Sequence, residues 1–399
     1  MSRRTGKQRG ILILLWSGVF FIAALGSLFI ISGIFMFPKY LEPWQKTYAQ
    51  KFDDPRIRLA AHGLLAANGH NMQPWKIRLD KDNPMVFYLY ADGGRLTNEA
   101  DPFARQMMIT QGTFLEYVKI AGDESGYKAA VELFPEGSYD GQKPTESMET
   151  RPVAKIILTK DRPQSNPLYG SMFLPDTNRL PYQPTRLTAE QINKLEAINT
   201  DAHMTLKIFQ DKENIDKLAS YAIKGAIAEA GVGHVMQEQA NIFRANEYKK
   251  NKYRYGFSVE GQGTTGLMQH LMQGVVTLFP SLNSGKGASD LFVQSTRTSV
   301  DSTLTYAMII TEDNNRSSQV ESGMLYSRLV LTAHSLGVVM QPLSQVLEEY
   351  PEMEELYNSI HLEYASDGGT IQMFSRLGVP TKEVSQSMRS DVMDLLAED

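Results

Sequence analysis

The sequence predicts an α+β fold of two related halves, each a sheet flanked by helices, carried behind one membrane-spanning helix. Three observations lead there. Strand-length apolar runs alternate with longer helical patterns through residues 55–399. A faint repeat recurs at an offset of 131 residues, where Leu64, Ala66, Asn68, Lys76 and Ile77 return as Leu195, Ala197, Asn199, Lys207 and Ile208. Residues 11–37 form one uncharged, mainly apolar run.

That run, as a helix, would be about 40 Å long and could cross a bilayer with tilt. Arg3, Arg4, Lys7 and Arg9 precede it, so residues 1–10 read as a cytoplasmic basic tail and residues 11–37 as a single-pass anchor. The body is then extracytoplasmic. Tyr40 and Trp44 are expected in the outer interface. The apolar core is too long for a cleaved signal, and no clear cleavage site comes after it.

Residues 38–54 read as a polar, proline-containing linker, 55–165 as a first half and 166–399 as a second. A helix is predicted over 55–67, then strands at 76–79 and 86–90. Asp101-Pro102 starts a helix running to about residue 121, with the carboxylate as N-cap. Strands come next at 128–134 and 153–158. Thr188-Ala-Glu-Gln191 is a capping box opening a helix to about 198, and another helix runs over 214–230. Residues 235–300 resist assignment, and 255–300 are read as a lid. A strand at 302–311, a second capping box at Ser318-Gln-Val-Glu321, a helix ending at Gly337 and a strand at 338–344 complete the order.

Composition excludes several chemistries. There is no cysteine, so disulfides, iron–sulfur clusters and thiolate catalysis are absent. The chain carries 40 basic and 45 acidic residues, and with the first 37 set aside the body holds 36 against 45, which argues against nucleic acid. The seven histidines form no i, i+3 or i, i+4 pair of the kind a helical metal site needs. Gly261-Gln-Gly-Thr-Thr-Gly266 matches a dinucleotide fingerprint only in spelling, since no βαβ unit surrounds it. The Met-rich run 267–279 reads as core or as a cover over a pocket, ahead of membrane contact.

The stretch Asn68-Gly-His-Asn-Met-Gln-Pro-Trp75 is the richest in binding chemistry. Asn71 and Gln73 bring amide donors and acceptors to a helix-to-strand junction that Gly69 lets a ligand approach closely. Arg376 and Arg389, near the chain end, offer guanidinium forks for a phosphate.

His70-Asn71-x-Gln73-Pro74-Trp75, Asp92-x-x-Arg95, Asp101-Pro102, Thr177-Asn-Arg-x-Pro-Tyr182, the helix 323–337 and Arg376-x-Gly378 together resemble the nitroreductase-like flavoprotein superfamily, and within it the Acg-type branch. The resemblance covers most of residues 55–395. It implies an α+β fold that binds FMN between two subunits or, in the Acg-type branch, within one fused, duplicated chain. It implies flavin contacts at Asn68, Gly69, His70, Asn71 and Gln73, and phosphate contacts at Arg179, Arg376 and Arg389. The chain departs from the pattern where Ala67-Asn68 replaces the usual Pro-Ser and where Pro175 stands for a further arginine. Ala202 and Met204 occupy the places of Asn71 and Gln73 in the second copy, so one FMN per chain is expected. The implied activity is flavin-mediated electron or hydride transfer to a small acceptor, with a membrane quinol or an extracytoplasmic reductase as donor. The alternatives are a non-catalytic flavin-binding or flavin-sequestering protein, or a membrane-anchored dehalogenase of the same superfamily.

Overall fold

The structure, a computed structural model, describes residues 6–397. Arg3 and Arg4, on which the expected orientation rests, lie outside them. Helix α1 (Gly6–Ser32) is long and apolar enough to cross a membrane over residues 12–32. The segment 38–54 is no loose linker. It makes two 3-10 turns that bury Tyr40, Trp44 and Tyr48 in the body, which corrects the expected interfacial seats of Tyr40 and Trp44. Indole and phenol groups with partners nearby are better satisfied there than at a headgroup surface.

Helix α2 (Pro55–Gly63) starts at Asp54, whose carboxylate accepts from Arg56 N–H at 2.9 Å. It ends four residues short of the expected 67. Strands β1 (Trp75–Leu79) and β2 (Val86–Ala91) precede helix α3 (Arg105–Ser125), then come β3 (Tyr127–Leu133), a short α4 (Pro144–Met148) and β4 (Ala154–Lys160). Asp101 does not cap α3 as a neighbour would. The helix starts at Arg105 after a left-handed Ala104, and the Asp101 carboxylate accepts from Gln106 and Met107 N–H at 3.1 and 2.8 Å. The capping chemistry is as read, but the chain makes one more turn before the helix begins.

Next come α5 (Ala189–Glu196), with the predicted reciprocal box between Thr188 and Gln191, and β5 (Met204–Phe209). Residues 212–301 are then a helical insertion: α6 (Lys212–Gly231), α7 (Gly233–Asn241), α8 (Glu247–Tyr253), α9 (Gly266–Leu278) and α10 (Gly285–Asp301). Strand β6 (Thr305–Thr311) leads to α11 (Arg316–Ser335), β7 (Val339–Pro342), α12 (Glu354–Tyr364) and β8 (Thr370–Gly378). The second capping box is not formed, because Asn315 is the N-cap and accepts from Ser318 N–H at 2.9 Å.

The strands form two antiparallel sheets of four, ordered β1-β2-β4-β3 and β5-β6-β8-β7. The orders are the same strand for strand. In each, a long helix lies in sequence between the second strand and the third, α3 in one and α11 in the other. These two helices cross at paired glycines: a Cβ on Gly112 would stand 1.8 Å from the Val320 carbonyl oxygen, and one on Gly323 would stand 1.9 Å from that of Ile109. Only glycine permits backbones so close. Arg105, buried on α3, reaches into the second half and donates to the Leu347 and Gln372 carbonyls at 2.6 and 2.9 Å. The chain end then returns to the first sheet, where Ala397 N–H donates to the Ile77 carbonyl at 2.9 Å.

Candidate functional site

Between α2 and β1 the chain turns on Asn68. Its side chain accepts from Gln73 N–H at 2.8 Å and donates to the Ala66 carbonyl at 3.1 Å. Three non-glycine residues in this turn, His70, Asn71 and Gln73, hold φ between 51° and 53°. Left-handed backbone at three such residues is costly and persists only when the surroundings impose it. Helix α3 imposes it from below. Thr110 Oγ1 accepts from Gly69 N–H at 3.1 Å, its carbonyl accepts from Trp75 Nε1 at 3.1 Å, and Gln111 Nε2 donates to the Pro74 carbonyl at 2.9 Å.

Two other segments close over the turn. The first is residues 254–257 of the insertion. Asn71 exchanges bonds with Gly256, its carbonyl accepting from Gly256 N–H at 2.9 Å and its Nδ2 donating back at 3.2 Å. Gln73 Nε2 donates to the Arg254 carbonyl at 2.8 Å, and the His70 ring meets Phe257 edge-on at 5.5 Å between centroids. Arg95 holds this cover by laying its guanidinium 3.5 Å from the centre of the Tyr255 ring, with Arg244 stacked on the same ring at 4.6 Å. The second segment is residues 387–390. Asn71 Nδ2 and Gln73 Nε2 both donate to the Met388 carbonyl, at 3.2 and 3.1 Å, and Gln73 Oε1 accepts from Ser390 N–H at 2.8 Å.

Arg389 lies at the centre. It is fully buried, donates to Asn71 Oδ1 at 2.8 Å and to the Leu65 and Ala66 carbonyls at 2.9 and 3.2 Å, and stacks on the Trp44 ring at 4.6 Å. Asp176 stands 4.0 Å away. The Arg389 Nε and His70 Nδ1 atoms are buried without a partner. Burial pushes the His70 imidazole down to about 4, with the charge of Arg179 adding to the effect, so the ring is neutral near pH 7.

The structure thus brings Asn68, Gly69, His70, Asn71, Gln73 and Arg389 together. Arg179 sits at the edge, exposed, with Nη1 on the Gly261 carbonyl at 3.1 Å. Arg376 does other work. It is buried on β8, donates to Gln341, to the Ser299 carbonyl and to the Asn178 and Leu180 carbonyls, and covers the Tyr182 ring at 3.8 Å. It holds the loop that carries Arg179, and its expected phosphate contact is not available in this arrangement. Tyr255 and Gly256 fall at the start of the stretch 255–300 expected as a lid, whereas sequence reasoning missed Arg254 and the seat made by Trp44 and Met388. Their contributions are mostly backbone carbonyls, which leave no trace in residue identity.

The site is closed as it stands. Both motif amides are committed to protein carbonyls, and the cavity lined by Gly69, His70, Arg95 and Thr110 measures about 10 Å³, room for about one water.

No protein-family model and no curated protein sequence matches the chain. Solved structures that resemble it include the FMN-dependent nitroreductase NfnB of Mycobacterium smegmatis in complex with NADPH (11% identity, 56% of this chain and 94% of that one, TM-score 0.34). A nitroreductase with bound FMN from Desulfitobacterium hafniense matches at 10% identity over 59% of this chain and 100% of its own, TM-score 0.33. A nitroreductase-type protein from Anabaena variabilis matches at 10% identity over 79% and 82%, TM-score 0.36.

Proposed function

We propose that this chain is a membrane-anchored flavin-binding protein of nitroreductase type whose FMN site, at Asn68–Gln73 and Arg389, is capped by the chain itself. Two related halves, 55–165 and 166–399, would descend from one duplicated unit, and the identical strand order of the two sheets supports that origin. One contact carries the functional reading: Asn71 Oδ1 to Arg389 Nη1 at 2.8 Å, which joins the amide motif of one half to a guanidinium from the far end of the other. Withdrawal of residues 254–257, with Arg389 staying on Asn71, would free the bonds that Asn71 and Gln73 make to Gly256 and Arg254 for a flavin ring and open the way to Arg389 for a phosphate, with Arg179 at the rim.

Bound FMN would supply electron or hydride transfer to a small acceptor, reduced in turn by a membrane quinol or an extracytoplasmic reductase. Because the site is covered, the apparent affinity for FMN is lowered by the fraction of molecules that are open. The apolar helix α1 and the basic residues before it support an anchor with the N-terminus cytoplasmic and the body outside.

The test is the absorption spectrum of the full chain, purified in detergent and incubated with FMN. Wild type is expected to retain at most one flavin per chain, and Arg389→Ala none. Two flavins per chain, or equal retention by Arg389→Ala, would overturn the proposal.

A further inference from the structure

Helix α9 is built inside out. On a surface helix of a soluble body, apolar residues face the core and polar ones face water. Here Gln273 is 0% exposed and donates to Glu247 at 2.8 Å, Gln269 donates to Glu260 at 2.6 Å, and His270 bonds Gln273 and Ser32 at 3.0 and 3.4 Å. Glu247 and Glu260 flank Lys250 of α8, and Tyr40 donates to Glu247 at 2.6 Å, so the polar face of α9 plugs into a buried ion network. The apolar face is left outside: Leu267 is 69% exposed and Phe279 58%, with Met268, Met272, Leu278 and Leu282 also exposed. This corrects the reading of 267–279 as core.

The direction of α9 points to what covers it. His270 meets Ser32, and a Cβ on Gly274 would stand 2.5 Å from the Leu28 carbonyl oxygen. Four residues forward on α9 correspond to four residues back on α1, so the helices run antiparallel in close contact. Continued to Leu278, the same register reaches the level of residue 24 of α1, about 12 Å inside the outer end of the span. No Asp, Glu, Lys or Arg occurs between Glu260 and Lys286.

We infer that α9 and the turn at Phe279–Leu282 are a second membrane element, lying in the outer leaflet along the outer half of α1 with the exposed apolar face in contact with lipid acyl chains. The inference rests on the reading of α1 as a span. Soluble proteins rarely leave so large an apolar face open, and here it is continuous with the helix expected in the bilayer. The same insertion carries residues 254–257, so the cover of the candidate site is anchored at the membrane surface rather than hanging in solution.

The absence of cysteine gives a direct test. Single-cysteine variants Phe20→Cys, Leu267→Cys, Phe279→Cys and Lys212→Cys, each in the full chain, are labelled with the environment-sensitive fluorophore NBD and reconstituted in phosphatidylcholine vesicles. Doxyl-labelled lipid then reports acyl-chain contact and iodide reports water. The labels at 279 and 267 are expected to emit to the blue of the label at 212, to lose fluorescence to doxyl lipid as the label at 20 does, and to resist iodide. Labels at 267 and 279 that match 212 while 20 is quenched by lipid would overturn the inference and leave the span standing. No quenching at 20 would overturn the span and the inference with it. Protection from iodide at 279 without lipid quenching, growing with protein density, would assign the face to a second copy of the chain and overturn the inference too.

Discussion

In the loop that leads into β1, His70, Asn71 and Gln73 hold left-handed backbone and the Asn71 and Gln73 amides are bonded to segments distant in sequence. In the loop that leads into β5, the backbone stays out of that region, and the turn is made by Asn199, which donates to the Met204 carbonyl at 2.7 Å and accepts from Asp201 N–H at 3.2 Å, and by Asp201, which accepts from His203 N–H at 2.8 Å. The two loops share a helix, an asparagine turn and a strand. The first has buried polar side chains bonded to two distant segments, whereas the second reaches out only through exposed His203, to Glu312 at 2.9 Å. Strain that the turn itself does not need marks a place where another requirement was met. The second loop shows what the scaffold alone asks for, so substitution at matched positions separates scaffold from site.

The largest contrast is at Arg389, which has no counterpart at the second loop. Arg389→Leu strands the Asn71 oxygen and the Leu65 carbonyl in a buried setting and takes one of two donors from the Ala66 carbonyl, and a loss of about 3–5 kcal/mol is expected. Denaturant unfolding of the detergent-solubilised chain measures it. A loss below about 1 kcal/mol would mean that the tail does not hold the first loop. The helix crossing gives the converse case, where both halves are equal. Gly112→Ala and Gly323→Ala each drive a methyl group into a partner carbonyl, and each should cost about 3 kcal/mol, the upper end for overpacking. Clearly unequal costs would break the symmetry of the crossing.

The asparagines come next. Asn71→Ala should cost about 2 kcal/mol, since it removes a side-chain donor from the Gly256 and Met388 carbonyls and an acceptor from Arg389 Nη1, whereas Asn199→Ala loses only a local turn, about 1 kcal/mol. The smallest contrast lies in the histidines. His70 is held at about 4 by burial, so its contribution is present above the unfolded value of about 6.5 and is lost as pH falls from there through about 4. His203, exposed and paired with Glu312, is shifted up, so its contribution is present on the acid side and is lost as pH rises through the raised value. Thermal melts from pH 4 to 8 should show the acid-side slope lessened in His70→Gln and the decline above about pH 6.5 slightly lessened in His203→Gln. The same slope in His70→Gln as in wild type would place that imidazole in water.

Much of the fold was legible where local chemistry was sufficient. The Thr188 capping box, the start of α2 at Asp54-Pro55 and strands β1, β2, β4 and β6 follow from side-chain spacing and fall within a few residues of expectation. Strand β8 was missed, although all nine of its residues are buried, because Gln372, Ser375 and Arg376 interrupt its apolar run and find partners only across the fold. Helices α7 to α10 were illegible for a related reason: α9 keeps its polar face inside and its apolar face outside, so rules for soluble helices point the wrong way. At the site, the residue types of the first loop and Arg389 were readable. Their commitment to backbone carbonyls at 254, 256 and 388 was not, since a carbonyl is the same in every residue.

The central claim is that the first loop is a flavin site under a cover. Tyr255→Ala removes the ring on which Arg95 and Arg244 stack, a loss of about 1–2 kcal/mol from the closed state that should raise the open fraction about 5–30-fold. The decisive measurement is therefore an FMN titration of wild type and Tyr255→Ala in detergent, read by flavin fluorescence. One site per chain is predicted in both, with the dissociation constant in Tyr255→Ala lower by that factor. Absence of FMN binding in both proteins would contradict the claim.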